Sequence, residues 1–130
     1  RGVVTQVGGM DGSNLIRVTP VLYAGDVDKA AAFFAGTLGF HVGFRSGAYA
    51  YVFRETAAFR IFEGANPQPT DRMTAYIDVE DIGALWAEMK DALEALEPGA
   101  FEGPLDRVYG QRELIVRMPD GGLLVFGQTL

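Results

Sequence analysis

The chain has 130 residues, with Lys+Arg 11 against Asp+Glu 17 and a net charge of −6. That length amounts to one domain, and the acidic balance disfavours a nucleic-acid surface, which needs a basic face for phosphates. There is no cysteine and a single histidine, His41, which excludes disulfides, thiolate metal sites and cysteine nucleophiles, and leaves no histidine-rich zinc site within one chain. No uncharged apolar run approaches the ~20 residues of a membrane span, and no basic-then-apolar leader is visible. The expectation is a cytoplasmic protein with no membrane or nucleic-acid partner.

Residues 1–14 are glycine-rich and polar toward their end, and read as a flexible N-terminal segment or an added remnant. Residues 16–23 read as a strand; Pro20 cannot donate to a ladder, which puts that strand at an edge or a bulge. Asp26 is an N-cap, with Asp28 in the first turn. Ala30, Phe33, Phe34 and Leu38 then make one apolar stripe at helical spacing, and Gly39 stops the helix. Strands follow over 40–45, 48–54 and 58–63. Residues 66–71, with Pro67 and Pro69, read as a linker.

The order then repeats. Residues 73–79 are a strand, Asp81 is the next N-cap, and Ile82, Leu85, Trp86, Met89 and Leu93 form the next helical stripe, with Trp86 read as core. Residues 114–118 and 123–127 are strands joined by the turn Pro119-Asp120-Gly121-Gly122. Residues 100–112 are polar and glycine-spaced, and read as a loop or an irregular strand. Asp26 and Asp81 lie 55 residues apart, so the chain reads as two tandem βαβββ modules, about 15–65 and 70–130, in a single α+β domain spanning 15–130. Each module buries one sheet face under its helix, leaving the other faces to make a shared cleft.

Strand alternation puts Tyr49, Tyr51 and Phe53 on one face and Ala50, Val52 and Arg54 on the other. Phe59 and Ile61 share a face; Arg60 and Phe62 share the opposite one. One set lies under a helix, and the other is either ordinary half-buried sheet surface or a cleft wall, for which tyrosine suits by its apolar body and polar tip. Glu55, Glu63, Glu102, Asp106, Glu113 and Asp120 fall near strand ends or loops, and their spacing forces no acid/base or metal pair. His41 is either a general base or a partly exposed sheet residue. No phosphate-loop motif is present.

Thr19-Pro20-Val21-Leu22, Asp26-Val27, Phe33-Phe34 and Leu38-Gly39-Phe40, with Tyr109-Gly110-Gln111-Arg112-Glu113-Leu114 and the run from Pro119 to Gly127, resemble bleomycin resistance proteins. Those belong to the vicinal oxygen chelate superfamily, with glyoxalase I and extradiol dioxygenases. The resemblance spans about residues 16–128 and implies two βαβββ modules forming a cupped mixed sheet. It also implies where a metal site would fall: Thr19 and Thr74 on the first strands, Val125 on the last strand, and a position near Arg60. These are not metal ligands, so the resemblance is to the metal-free, non-catalytic drug-binding branch, with no cofactor and no catalytic residue.

That branch is a homodimer whose ligand grooves draw on both chains. Its aromatic groove positions carry over to Phe44, Tyr49, Tyr76 and Tyr109, and strand parity adds Tyr51 and Phe62. The expected activity is sequestration of a planar aromatic, cationic small molecule such as a bleomycin-type antibiotic. The rivals are a metal-dependent lyase, isomerase or dioxygenase of the same superfamily, and a metabolite-binding sensor domain. Tyr76 and Tyr109 stand where tryptophan is common, Met118 replaces an acid, and Arg60 disfavours a polycation if it faces the cleft.

Overall fold

A computed structural model describes residues 14–64, 73–119 and 122–130. The linker reading over 66–71, most of the N-terminal segment and the tip of the Pro119–Gly122 turn lie outside them. The elements run β1 (Val21–Ala24), α1 (Val27–Gly36), β2 (His41–Ser46), β3 (Tyr49–Arg54), β4 (Ala57–Glu63), β5 (Thr74–Asp78), α2 (Ile82–Glu94), β6 (Phe101–Asp106), β7 (Gln111–Arg117) and β8 (Leu123–Thr129). The strands form two four-stranded mixed sheets, ordered β1-β4-β3-β2 and β5-β8-β7-β6. Each has one parallel pair, β1 with β4 and β5 with β8. The two βαβββ modules are thus alike in order and in strand placement.

The helices begin where their caps dictate. The Asp26 carboxylate accepts from the backbone N–H of Asp28 at 3.0 Å and of Lys29 at 3.1 Å. Asp81 accepts from Ala84 N–H at 3.0 Å. A second oxygen reaches each helix start from the module's last strand: Glu63 Oε1 accepts from Val27 N–H at 3.0 Å, and Gln128 Oε1 from Ile82 N–H at 2.7 Å. Each helix N-terminus therefore has donors satisfied both by its cap and by its own sheet. Gly39, at φ +75°, turns the chain after α1.

Both helices contribute to one buried apolar cluster. It includes Val27, Phe33, Phe34 and Leu38 around α1, Ile82, Met89 and Leu93 on α2, and the strand residues Ala50, Val52, Phe59, Ile61, Leu114, Val116, Leu124 and Phe126. Phe34 stands at its centre, with ring centroids 5.1 Å from Phe40 and 5.2 Å from Phe59. Trp86 is partly buried against this cluster, its ring 5.4 Å from Phe101. A further tie joins the modules: Arg54, on the covered face of β3, donates to Leu38 O at 2.9 Å and pairs with Glu88 of α2 at 2.7 Å.

Two expectations change, and one open alternative is decided. The first strand is shorter than residues 16–23: it starts at Val21, and Ile16 and Val18 are exposed. Pro20 sits just before it, and β1 is an edge strand, as a missing N–H requires. The first helix runs Val27–Gly36, not through Leu38. Of the two readings of residues 100–112, the irregular strand is the one observed: they carry β6, paired to β7 with a register shift between Glu102 and Leu105. The irregularity surrounds Gly103, at φ +103°, a backbone region few other residues adopt.

Candidate functional site

Alternation places every second strand residue on the face away from the helices. On the first sheet that open face carries Tyr23, Phe44, Tyr49, Tyr51, Phe53, Arg60 and Phe62. Ala50, Val52, Phe59 and Ile61 are buried beneath α1. The rings form a chain of contacts: Tyr23 to Phe62 at 6.1 Å, Phe62 to Tyr49 at 5.0 Å, and Tyr49 to Phe44 at 6.0 Å. Tyr51 and Phe53 stack at 6.1 Å. Gly43 makes room for these last two, since a Cβ there would stand 3.0 Å from Tyr51 Cδ2 and 3.1 Å from Phe53 Cε1. Phe44 is 56% exposed, and Tyr23 and Phe62 are nearly half exposed, so this is a wet aromatic surface on a single chain and not part of the core.

Arg60 lies on this same face. Its Nη1 donates to Tyr49 Oη at 2.7 Å, and its Cζ stands 5.3 Å from the centre of the Tyr51 ring. Arg17 adds a longer bond of 3.4 Å to Tyr51 Oη. The sequence leaves the side of the sheet taken by Arg60 open; the structure puts it among the rings.

The second sheet's open face is built around a carboxylate. Glu113 is 4% exposed, the buried charged residue of the described chain. Its Oε1 accepts from Tyr109 Oη at 2.7 Å and from Arg107 Nε at 3.2 Å, and its Oε2 accepts from Tyr76 Oη at 2.9 Å. Tyr76 Oη also lies 3.0 Å from Gln111 Oε1. Tyr76 reaches Glu113 by crossing over β8. It starts on β5 opposite Val125 and spans Gly127, which is paired with Glu113 in the next strand. Only a glycine permits that crossing, because a Cβ at 127 would stand 2.7 Å from Tyr76 Cε1 and closer still to Cζ and the hydroxyl.

The electrostatics follow from this packing. Burial pushes the Glu113 carboxyl up, but the hydrogen bonds from Tyr109, Tyr76 and Arg107 outweigh it and leave its pKa below the usual range. The Tyr76 phenol is pushed up to about 12, by burial first and then by its bond to Glu113. The bond to Glu113 raises Tyr109 as well. Both phenols are therefore neutral donors near neutral pH.

The sequence-predicted residues thus fall into two groups. Phe44, Tyr49, Tyr51 and Phe62 are neighbours on the first sheet; Tyr76 and Tyr109 are joined through Glu113 on the second. Among the described residues, no ring contact or hydrogen bond links the groups. Glu113 is the residue that sequence reasoning left among unassigned acids. Its only signal was its place in the Tyr109-Gly110-Gln111-Arg112-Glu113 run. His41 is exposed on the edge strand β2, its ring 5.4 Å from Phe53.

The positions where the family resemblance implies metal ligands carry poor donors. Thr19 precedes β1, Thr74 is exposed at the start of β5, Val125 offers no donor, and Arg60 is a cation. Among the described residues, no three His, Asp or Glu side chains are grouped to hold a metal ion. These residues do not fit a divalent metal.

Residues 16–126 match the model of the Glyoxalase/Bleomycin resistance protein/Dioxygenase superfamily. No curated protein matches the sequence. Among solved structures, the chain is similar to a bleomycin-binding protein from bleomycin-producing Streptomyces verticillus complexed with copper(II)-bleomycin. The identity is 28% and the TM-score 0.74, covering 88% of this chain and 97% of that one. A bleomycin-binding protein complexed with bleomycin is 22% identical with TM-score 0.75, covering 89% and 100%. A glyoxalase-related enzyme from Clostridium phytofermentans is 22% identical with TM-score 0.71, covering 92% and 98%. The last two likenesses speak to fold alone, and the fold hosts both binders and enzymes. The chain belongs to the glyoxalase/bleomycin resistance/dioxygenase superfamily, on a match that spans both of its modules.

Proposed function

We propose that the protein binds a planar aromatic small molecule and sequesters it without changing it chemically, as an antibiotic-binding protein does. The observation that carries this is the run of half-exposed rings on the open face of the first sheet, where flat surfaces are available for stacking. Phe44, Tyr49, Tyr51 and Phe62 are the proposed wall from one sheet, and Tyr76 and Tyr109 from the other. With no contact joining the two groups among the described residues, the groove is proposed to close in a homodimer, with the first sheet of one protomer facing the second sheet of its partner. The similarity to bleomycin-binding structures supports this reading. So does the poor fit of the implied ligand positions to a metal, against a metal-dependent lyase, isomerase or dioxygenase. A cytoplasmic setting goes with it.

The cationic part of the sequence expectation is set aside, because Arg60 and Arg17 stand among the rings. The test is calorimetric titration of planar heteroaromatic antibiotics, metal-free bleomycin among them, into protein of known oligomeric state, with mass spectrometry of the recovered ligand. Saturable binding at one ligand per chain, by a dimer that returns the ligand unaltered, is the expected result. Failure of every compound to bind a folded dimer, or recovery of a modified ligand, would refute it.

A further inference from the structure

We infer that the ligand is an aromatic anion, and that Arg60 is the docking point for its carboxylate, sulfonate, phosphate or phenolate. This rests on the binding reading above and adds the sign of the ligand's charge to it.

Three observations carry the inference. First, arginines in the described chain are paired with acids almost throughout. Arg45 reaches Asp28 at 2.6 Å, Arg54 reaches Glu88 at 2.7 Å, Arg107 reaches Glu113 at 3.2 Å, Arg112 reaches Asp106 at 2.6 Å and Arg117 reaches Glu102 at 3.7 Å. Among the described residues, Arg17 and Arg60 stand outside this pattern, with no carboxylate within 4.0 Å, and both bond to tyrosines of the open aromatic face. In a chain of net charge −6, this is not for want of acids.

Second, Arg60 is held in place by uncharged groups. Tyr49 Oη takes one of its five N–H donors at 2.7 Å, and its plane lies near the Tyr51 ring at 5.3 Å. The remaining donors form a planar fork, which matches an oxyanion group with two parallel hydrogen bonds. Third, two acids of the same module are committed elsewhere. Glu63, three residues along the same strand, caps α1 through Val27, and Asp28 is taken by Arg45.

Tyr49 binds Arg60, and the Tyr49 and Phe62 rings are 5.0 Å apart. A flat ligand lying on those rings therefore brings a substituent at its edge to the guanidinium. A cationic substituent there meets like charge instead.

The experiment uses three matched acridines: acridine-9-carboxylate, acridine-9-carboxamide and the cation 9-aminoacridine. Each is titrated by ligand fluorescence into the native protein and into Arg60→Met and Arg60→Lys, at two salt concentrations, with sedimentation and urea midpoints checking dimer and fold. The native protein is expected to bind the carboxylate about tenfold tighter than the amide, and the cation weakest. Arg60→Met should remove that preference by weakening the carboxylate about tenfold more than the amide, and Arg60→Lys should restore part of it.

Equal affinity for carboxylate and amide, or tighter binding of the cation, overturns the inference while leaving the binding reading intact. Equal weakening of all three in Arg60→Met also overturns it, since Arg60 would then only order the rings. Dissociation of the dimer in Arg60→Met would do so as well, by assigning the guanidinium to a carboxylate of the second copy. No binding by any of the three overturns the inference, and the binding reading is then decided by the antibiotic titration above.

Discussion

Replacing Gly127 with alanine tests the Tyr76 crossing. The new Cβ would stand 2.7 Å from Tyr76 Cε1, against 3.4 Å or more for ordinary contact, and the conflict is worse toward the hydroxyl. The ring must lift by about 1 Å, and the Tyr76–Glu113 bond, 2.9 Å long, then passes out of hydrogen-bonding range. A hydrogen bond to a charged acceptor contributes about 1.5–3 kcal/mol. Tyr76 is 44% exposed, so water partly replaces the lost partner, and the lower figure applies. Alanine in a strand recovers about 0.5 kcal/mol through the unfolded chain. The net expectation is a loss of about 1 kcal/mol, read from urea midpoints at unchanged slope. In a Tyr76→Ala background the obstacle is gone, and the same substitution should be neutral or stabilising by about 0.5 kcal/mol. The sign reversal is the diagnostic feature. Equal destabilisation in both backgrounds would refute the crossing and place the cost of Gly127→Ala elsewhere on β8.

The buried acid makes a pH prediction. The folded pKa of Glu113 is lowered, so the stability it adds is present above the ordinary carboxylate range and is lost as pH falls through the folded value. Native protein should therefore lose more stability than Glu113→Gln between about pH 6 and about pH 3, as measured by urea midpoints across that range; parallel curves would contradict the assignment. In the alkaline range, the tyrosine component that titrates at about 12 should move toward 10.0 in Glu113→Gln, followed by phenolate absorbance. Phe34→Ala empties the centre of the core and should cost about 3–5 kcal/mol in chemical unfolding. Asp26→Ala removes two cap bonds and should cost about 1 kcal/mol in the same assay.

What the sequence made legible was whatever depends on neighbours along the chain. Asp26 and Asp81 announced the helix starts, because a cap acts within three residues. Parity sorted Tyr49 and Tyr51 from Ala50 and Val52, because one sheet face lies under a helix and the alternation is strict. Residues 100–112 resisted reading because Gly103 and Pro104 break the alternation where β6 bulges against β7. The Glu113 cluster resisted for another reason. Tyr109 is four residues from Glu113, but Tyr76 is 37 residues away, and its route over Gly127 exists only once β5, β8 and β7 lie side by side. Parity puts Arg60 on the face of Phe62, yet which side of the sheet that is, and its lack of a carboxylate, emerge only when the fold and the partners of the other described arginines are known.

The second sheet is also where chemistry and binding part ways. The resemblance places a metal-binding carboxylate on β8 near Val125, yet that open face carries Val125 and Gly127, and the acid stands one strand over as Glu113. There it accepts from two phenols and a guanidinium. To ligate a metal or take a proton from a substrate, Glu113 would have to give up hydrogen bonds that hold it ionised while buried, at a cost of several kcal/mol. Tyr76, with its pKa near 12, supplies no phenolate at neutral pH. The cluster instead fixes two tyrosine side chains in place, which, under the proposed reading, lowers the entropy a ligand would otherwise remove on settling on their rings. An acid saturated by its own side chains and a bare strand beneath a tyrosine favour a surface that holds a flat molecule over one that reacts with it.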